Sequence, residues 1–149
     1  MQIKKVGVIG AGQMGNGIAH VLSLGGYDVI LNDIDKNTLE KASHNIKNNL
    51  ERQVNSKKIS TAESNAALKL IDYTVSLEDF NDVDLVIEAA TENEAIKQKI
   101  LNSLLPHIQP HTILTSNTSS ISITRLASCT DRPETVSYTH LTLPTNREV

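Results

Sequence analysis

The first residues able to do chemistry are three glycines in the segment GAGQMG, which begins at Gly10. Backbone N–H groups at the start of a helix bind phosphate, because they have no partners within the helix and carry its positive dipole. Gly10 permits a tight turn, Gly12 lets a pyrophosphate approach the backbone, and Gly15 lets the helix pack closely on the preceding strand. The segment therefore predicts a pyrophosphate-binding loop, to which Gln13 and Met14 contribute from the first helical turn.

A carboxylate stands where the sugar of a dinucleotide would be recognised. Asp33 follows the next apolar, strand-like segment after the glycines. A carboxylate at this place accepts hydrogen bonds from the 2′-hydroxyl of an adenosine ribose and repels a 2′-phosphate, which favours NAD over NADP. The alternative is a plain turn between strand and helix, with Asp33 as a capping or surface residue.

These residues need alternating strands and helices to position them, and the hydrophobic pattern predicts such an order. Strands are predicted at 3–9, 27–31, 71–75, 84–87 and 112–115, and helices at 13–24, from 35 or 36 to 52, 61–70, 94–108 and 122–128. The alternation predicts an α/β fold with a Rossmann-type, doubly wound, mostly parallel sheet. The second and third helices form a hairpin inserted between strands.

Composition excludes several classes of protein. The chain has 149 residues, a formal net charge of -3, 39% hydrophobic residues and 21% charged residues, which is typical of one globular domain. Cys129 is the only cysteine, so we expect no internal disulfide and a cytoplasmic location. No apolar run approaches the roughly 20 residues of a membrane span. With no basic cluster and no metal-ligand spacing of histidines, we expect no nucleic-acid, membrane or metal binding.

Two later motifs, together with the glycine loop, relate the chain to a known family. The segment DLVIEAATEN begins at Asp84, and the segment TSNTSS begins at Thr115. The polar residues that end each segment follow predicted strands, at the edge of the sheet where ligands of open α/β folds bind. From Lys4 to about Glu134 the chain resembles the 3-hydroxyacyl-CoA dehydrogenases, and among them the bacterial 3-hydroxybutyryl-CoA enzymes.

The resemblance implies roles for five further residues. Glu92 and Lys97 line the nicotinamide end of NAD, and Asn117 lies beside the nicotinamide ribose. Ser119 hydrogen-bonds the 3-oxygen of the substrate, and His140 aligns with the family's general base. The alternatives are a polar turn that caps a helix for Asn117 and Ser119, and a first-turn helix acid for Glu92.

The last residues depart from the family. From Val136 the sequence resembles a translated sequencing-adapter tail, so we expect an NAD-binding Rossmann domain at 1–135 and a non-family tail, produced by truncation, at 136–149. On this hypothesis the match of His140 is accidental. We expect the family's helical C-terminal domain to be absent, the isolated chain to be nearly inactive, and a homodimer to form only in the full-length protein.

The function implied is an oxidoreductase that interconverts a 3-hydroxyacyl-CoA, in particular 3-hydroxybutyryl-CoA, and a 3-oxoacyl-CoA by hydride transfer with NAD. The acyl-CoA is then the partner. Lys57 and Lys58 either meet the phosphates of coenzyme A or belong to a solvated loop. Two alternatives stay open: a Rossmann dehydrogenase of a free hydroxy or sugar acid, and a non-catalytic NAD-binding module.

Overall fold

Six parallel strands form one sheet in the computed structural model, which describes residues 3–90, 93–116 and 136–138. The strands are β1 (Lys5–Ile9), β2 (Asp28–Asn32), β3 (Ile71–Thr74), β4 (Leu85–Glu88), β5 (Ile113–Ser116) and β6 (Val136–Tyr138), and the helices are α1 (Gln13–Leu24), α2 (Lys36–Asn55), α3 (Thr61–Leu70) and α4 (Glu94–Leu104). Across the sheet the order is β3-β2-β1-β4-β5-β6. The predicted doubly wound parallel sheet is confirmed, and its order reverses direction between β1 and β4.

The strands divide their side chains between two cores. In β2, Val29 and Leu31 belong to a core with α1, α2 and α3, whereas Ile30 belongs to a second core with α4. Successive side chains of a strand point to opposite faces, so the helices cover both faces of the sheet. This is why the strands are nearly continuous apolar runs rather than alternating ones.

Polar side chains fix where the helices begin. The Asp35 carboxylate accepts a hydrogen bond from the backbone N–H of Asn37 at the start of α2. Ser60 and Glu63 form a reciprocal capping box at the start of α3, with both bonds at 3.0 Å; their separation by three residues is typical of such a box. The predicted helix 94–108 ends earlier, at Leu104, and continues as a 3-10 turn that contains Pro106, because proline cannot donate the next helical hydrogen bond.

A short 3-10 turn at Leu77–Phe80 was not predicted from the sequence. It places the ring of Phe80, which is fully buried, against β1. A Cβ atom on Gly7 would lie 2.5 Å from that ring, so the glycine makes room for it. The predicted helix 122–128 lies outside the described residues. Within the described part of the chain, none of the helices combines the length and apolar character needed to cross a membrane.

Asp84 joins the start of β4 to the start of β1. Its Oδ2 atom accepts hydrogen bonds from the backbone N–H groups of Lys4, at 2.9 Å, and Lys5, at 3.1 Å. His111 Nε2 lies 3.4 Å from the other carboxylate oxygen. The two backbone donors, and secondarily His111, hold the pKa of Asp84 below its ordinary value of 3.8.

This lowered pKa predicts a pH-dependent loss of stability in Asp84→Asn. A carboxylate whose folded-state pKa is lowered stabilises the fold fully above its unfolded pKa and loses that effect as pH falls through the folded value. We therefore expect Asp84→Asn to lower the urea midpoint at pH 7, and the deficit to shrink as the pH falls below 3.8.

The matched control is Asp82→Asn, which removes only a partly exposed ion pair with Lys5 at 2.9 Å. Exposed pairs contribute little, so its midpoint should stay near that of the unmodified chain at every pH. An Asp84→Asn deficit of equal size at pH 7 and pH 3 would contradict the assignment.

Candidate functional site

The glycine loop lies at the carboxyl end of β1, beside the point where the strand order reverses. Gly10 has a φ of 101°, in the left-handed region that side chains other than glycine rarely adopt. Its N–H donates to the carbonyl of Asn32 at 2.7 Å. A Cβ atom here would lie 2.6 Å from the Cα atom of Ala90, after β4. Gly10 is therefore required both by its backbone angle and by the neighbouring turn.

The other two glycines of the loop differ sharply in what surrounds them. A Cβ atom on Gly15 would lie 1.6 Å from the carbonyl oxygen of Gly10, whereas one on Gly12 meets no described atom within 4 Å. Gly15 therefore serves the packing of α1 on β1. Gly12 leaves open space at the helix N-terminus, where among the described residues no side chain caps the backbone N–H groups. That opening fits a phosphate held against the backbone.

Asp33 holds the loop from the end of β2. Its Oδ2 atom accepts a hydrogen bond from the N–H of Ala11 at 2.9 Å, and its Oδ1 atom accepts one from the N–H of Asp35 at 3.0 Å. The residue is half-buried and lines a cleft. The carboxylate thus fixes the loop and its own turn while facing the space where a ligand would lie. The bond to Ala11 was not foreseen from the sequence.

The cleft beside Asp33 has a volume of about 670 Å³ and runs between the ends of the first strands and helix α4. Several of its apolar side chains are exposed, in particular Ile34 (94%), Val75 (54%) and Ile96 (47%). Exposed apolar side chains that converge on one cleft are typical of a ligand site. A flat apolar ring next to a hydroxylated sugar would fit between them and Asp33.

A second groove, of about 590 Å³, lies between the glycine loop and α2. Its lining is polar and includes Asn16, Asn45, Lys41 and Arg52. The groove therefore offers amides and two cations on the other side of the loop. Lys57 and Lys58 are exposed in the connection that follows α2.

A buried ion pair lies at the carboxyl ends of β4 and β5. Glu88 is 1% exposed and Lys97 is 0% exposed, and the Lys97 ammonium donates to Oε1 of Glu88. The hydroxyl of Ser116 donates to the same oxygen at 2.8 Å, and the N–H of Ala90 donates to Oε2 at 2.7 Å. In the described part of the chain, the Lys97 ammonium is thus paired with the Glu88 carboxylate.

Sequence reasoning missed Glu88 and Ser116. The sequence does carry a signal for this cluster. Glu88 ends the otherwise apolar strand LVIE, and Lys97 lies four and seven residues before Leu101 and Leu104, on the buried face of α4. An acid and a base that both occupy core positions are expected to pair.

The structure brings together part of the predicted site. The residues placed around the glycine loop and the end of β2 are Gly10, Gly12, Gln13, Met14, Gly15 and Asp33. Lys97 lies in the buried pair with Glu88, and its contact with a cofactor stays a prediction. Four predicted site residues lie outside the described ranges: Glu92, Asn117, Ser119 and His140.

Comparison with known proteins identifies a family over nearly the whole chain. The family model described as 3-hydroxyacyl-CoA dehydrogenase, NAD binding domain, matches residues 5–147. A 3-hydroxybutyryl-CoA dehydrogenase of Bradyrhizobium diazoefficiens is 53% identical over 132 residues, which cover 89% of this chain and 45% of that protein. One of Mycobacterium tuberculosis is 39% identical over 143 residues, or 95% of this chain and 50% of that protein.

Solved structures agree with the sequence comparison. The (S)-3-hydroxybutyryl-CoA dehydrogenase of Ralstonia eutropha has a TM-score of 0.88 at 39% identity, covering 91% of this chain and 48% of that one. The 3-hydroxybutyryl-CoA dehydrogenase of Escherichia coli K12 has a TM-score of 0.90 at 36% identity, and the match covers 93% of this chain and 29% of that one. The chain therefore spans about half the length, or less, of these relatives.

The predicted boundary between a domain at 1–135 and a tail at 136–149 stays a prediction. Residues 136–138 form β6, in which Val136 pairs with Leu114 of β5. The family match extends beyond that strand, to residue 147, whereas the alignment with the Bradyrhizobium protein covers 132 residues.

Proposed function

The chain belongs to the 3-hydroxyacyl-CoA dehydrogenase family through its NAD-binding domain, and we propose that it serves the interconversion of 3-hydroxybutyryl-CoA and acetoacetyl-CoA in a longer protein. The observation that carries the proposal is the open space at Gly12. It lies within a family match that covers the glycine loop and the two segments that begin at Asp84 and Thr115. The names of the relatives support the substrate class.

The described residues fit the cofactor. The N-terminus of α1 with Gly12 would hold the pyrophosphate, Asp33 the hydroxyls of the adenosine ribose, and the apolar cleft at Ile34 and Ile96 the adenine. NAD, when bound, supplies a nicotinamide ring that accepts or returns the hydride of the substrate carbon. The two positive charges in the polar groove, on Lys41 and Arg52, suit the phosphates of coenzyme A.

Catalysis needs a base beside the substrate as well as the cofactor. By resemblance, Ser119 binds the 3-oxygen of the substrate, Asn117 lies at the nicotinamide ribose, and a histidine aligned with His140 takes the hydroxyl proton. Because the chain spans 45% of the Bradyrhizobium relative, we propose that these 149 residues alone bind NAD without turnover.

The test has two arms. Calorimetry should show that the chain binds NAD. A spectrophotometric assay with acetoacetyl-CoA should show that it does not oxidise NADH. A chimera that joins residues 1–135 to the remaining part of the Bradyrhizobium relative should oxidise NADH with acetoacetyl-CoA and not with free acetoacetate. Turnover of the free acid would favour a hydroxy-acid dehydrogenase, and absence of NAD binding would refute the cofactor site.

Asp33→Ala is expected to weaken NAD binding by at least about tenfold, the equivalent of one hydrogen bond to a charged group. The variant loses both the acceptor for the ribose hydroxyls and the acceptor that holds Ala11. Asp33→Asn keeps an acceptor for Ala11 and loses the charge, so it should chiefly lose discrimination against NADP. Calorimetry with both nucleotides measures the two effects.

Asp35→Ala is the matched control for this site. It removes the side-chain cap of α2, at 2.9 Å from the N–H of Asn37, without touching Ala11. Its NAD affinity should equal that of the unmodified chain. If Asp33→Ala binds NAD as tightly as the control does, Asp33 is only a turn residue.

A further inference from the structure

Glu88 and Lys97 have no part in the cofactor contacts proposed above, although both are completely enclosed. They are 1% and 0% exposed, and their neighbour Ser116 is 2% exposed. A buried charge is costly unless hydrogen bonds and an opposite charge compensate it. A charged pair buried at the end of the sheet where ligands bind is therefore a candidate for a role in ligand binding.

The Glu88 carboxylate connects three elements. Its Oε1 atom accepts from the ammonium of Lys97 on α4 and from the hydroxyl of Ser116, which is its direct neighbour on β5. Its Oε2 atom accepts from the N–H of Ala90, at 2.7 Å, in the turn that follows β4. Both oxygens are thus occupied, and one of them ties the carboxylate directly to this turn.

That turn forms one wall of the cleft beside Asp33. Ala90 and Gly10 line the same cleft, and a Cβ atom on Gly10 would lie 2.6 Å from the Cα atom of Ala90 and 2.8 Å from its nitrogen. The Ala90 N–H, which donates to Glu88, therefore lies directly against the start of the glycine loop. The N–H of Ala89 also donates to the carbonyl of Ile9 at 2.8 Å, which joins the turn to the end of β1 directly before the glycine loop.

We infer that Glu88 is a positioning residue, which holds the Ala90 turn against Gly10, and that Lys97 serves the cofactor site by neutralising Glu88. The inference rests on the proposed function, because it assumes that NAD binds in the cleft beside Asp33. It differs from the role implied by resemblance, in which Lys97 itself lines the nicotinamide end. The two roles have different consequences for a ligand that lacks nicotinamide.

The experiment compares NAD with ADP-ribose, which keeps the adenosine and the pyrophosphate. Calorimetry is run on the 149-residue chain, on Glu88→Gln, on Lys97→Met and on the double variant. Each single change should weaken the binding of both ligands by the same factor, about tenfold or more, because both ligands would bind in the cleft that Ala90 lines. In the Glu88→Gln background, Lys97→Met should add less than about twofold, because residues that act as a unit are not additive.

Exchange of the Ala90 amide hydrogen provides a readout that does not need a ligand. In Glu88→Gln it should become at least about tenfold faster, since glutamine offers one acceptor oxygen for which the Lys97 ammonium, the Ser116 hydroxyl and the Ala90 N–H compete. The amide of Gly10, bonded to Asn32, should keep its rate. Lys99→Met, at an exposed position of the same helix, should leave the exchange rate and both affinities unchanged. If a single variant does not fold, the double variant, which buries no unpaired charge, gives the ligand comparison.

The outcomes separate the two proposals. A loss confined to NAD in Lys97→Met, additive effects in the double variant, or an unchanged Ala90 exchange rate in Glu88→Gln would each overturn the positioning role. Absence of NAD and ADP-ribose binding in the unmodified chain would refute the proposed function instead, and the exchange rate of Ala90 would then decide the positioning role by itself.

Discussion

Gly15→Ala is expected to lower the free energy of unfolding by at least about 3 kcal/mol, the upper range of overpacking, or to prevent folding. The added Cβ atom would lie 1.6 Å from the carbonyl oxygen of Gly10 and 3.5 Å from the side chain of Val8. A backbone oxygen cannot move aside as a flexible side chain can. Helix α1 would therefore have to separate from β1.

The sign of this prediction is informative, because intrinsic helix propensity predicts the opposite. Alanine is favoured over glycine within a helix by about 1 kcal/mol, so without the contact to Gly10 the variant would be more stable. Urea unfolding followed by circular dichroism measures the difference. A Gly15→Ala variant at least as stable as the unmodified chain would show that α1 does not approach β1 as closely as described.

Gly12→Ala is the matched control within the same loop. The new Cβ atom meets no described atom within 4 Å, and the φ of -71° suits alanine. Stability should therefore change by less than about 1 kcal/mol. NAD affinity should fall at least about tenfold, because the methyl group occupies the space through which a pyrophosphate approaches the backbone. Unchanged affinity would mean that the open space at Gly12 is not part of the cofactor site.

Lys97→Met is expected to lower the free energy of unfolding by about 3–5 kcal/mol, as found when one partner of a buried ion pair is removed. The variant leaves the Glu88 carboxylate enclosed, at 1% exposure, without its counter-ion. Urea unfolding at pH 7 measures the loss. The double variant Glu88→Gln with Lys97→Met should recover most of it, because it removes both charges from the interior.

Lys99→Met supplies the comparison for side-chain size and helix propensity. Lys99 is exposed on the same helix, so its replacement should change stability by less than about 0.5 kcal/mol. If Lys97→Met is no more destabilising than Lys99→Met, the Lys97 ammonium is not held in a buried pair.

The parts of the fold that the sequence predicted have local causes. Apolar runs set the strands, Ser60 with Glu63 sets the start of α3, and three spaced glycines set the turn from β1 into α1. Each of these signals lies within a few residues of the structure it produces. For the same reason the sequence could single out Gly10 and Asp33, which the structure places along one cleft.

The parts that were missed depend on residues far apart in the chain. The pairing of Glu88 with Lys97 and Ser116 follows from the register of β4 with β5 and from the buried face of α4. The turn at Leu77–Phe80 exists because its phenyl ring fills the space above Gly7. A single sequence shows a glycine in a strand and an acid at a strand end, but not the group that each one meets.

The contact of Gly10 with Ala90 has a consequence for folding. The β1–β4 pairing, in which Val6 meets Leu85, joins strands more distant in sequence than any other pairing among the described strands. Closing a long loop costs more entropy and is slower than closing a short one. We therefore expect the cleft to be completed after the β1–α1–β2 unit, and a nucleotide to bind the domain in which β1 and β4 are already paired. At 100 times its Kd it would add about 2.7 kcal/mol to stability and protect the chain from proteolysis.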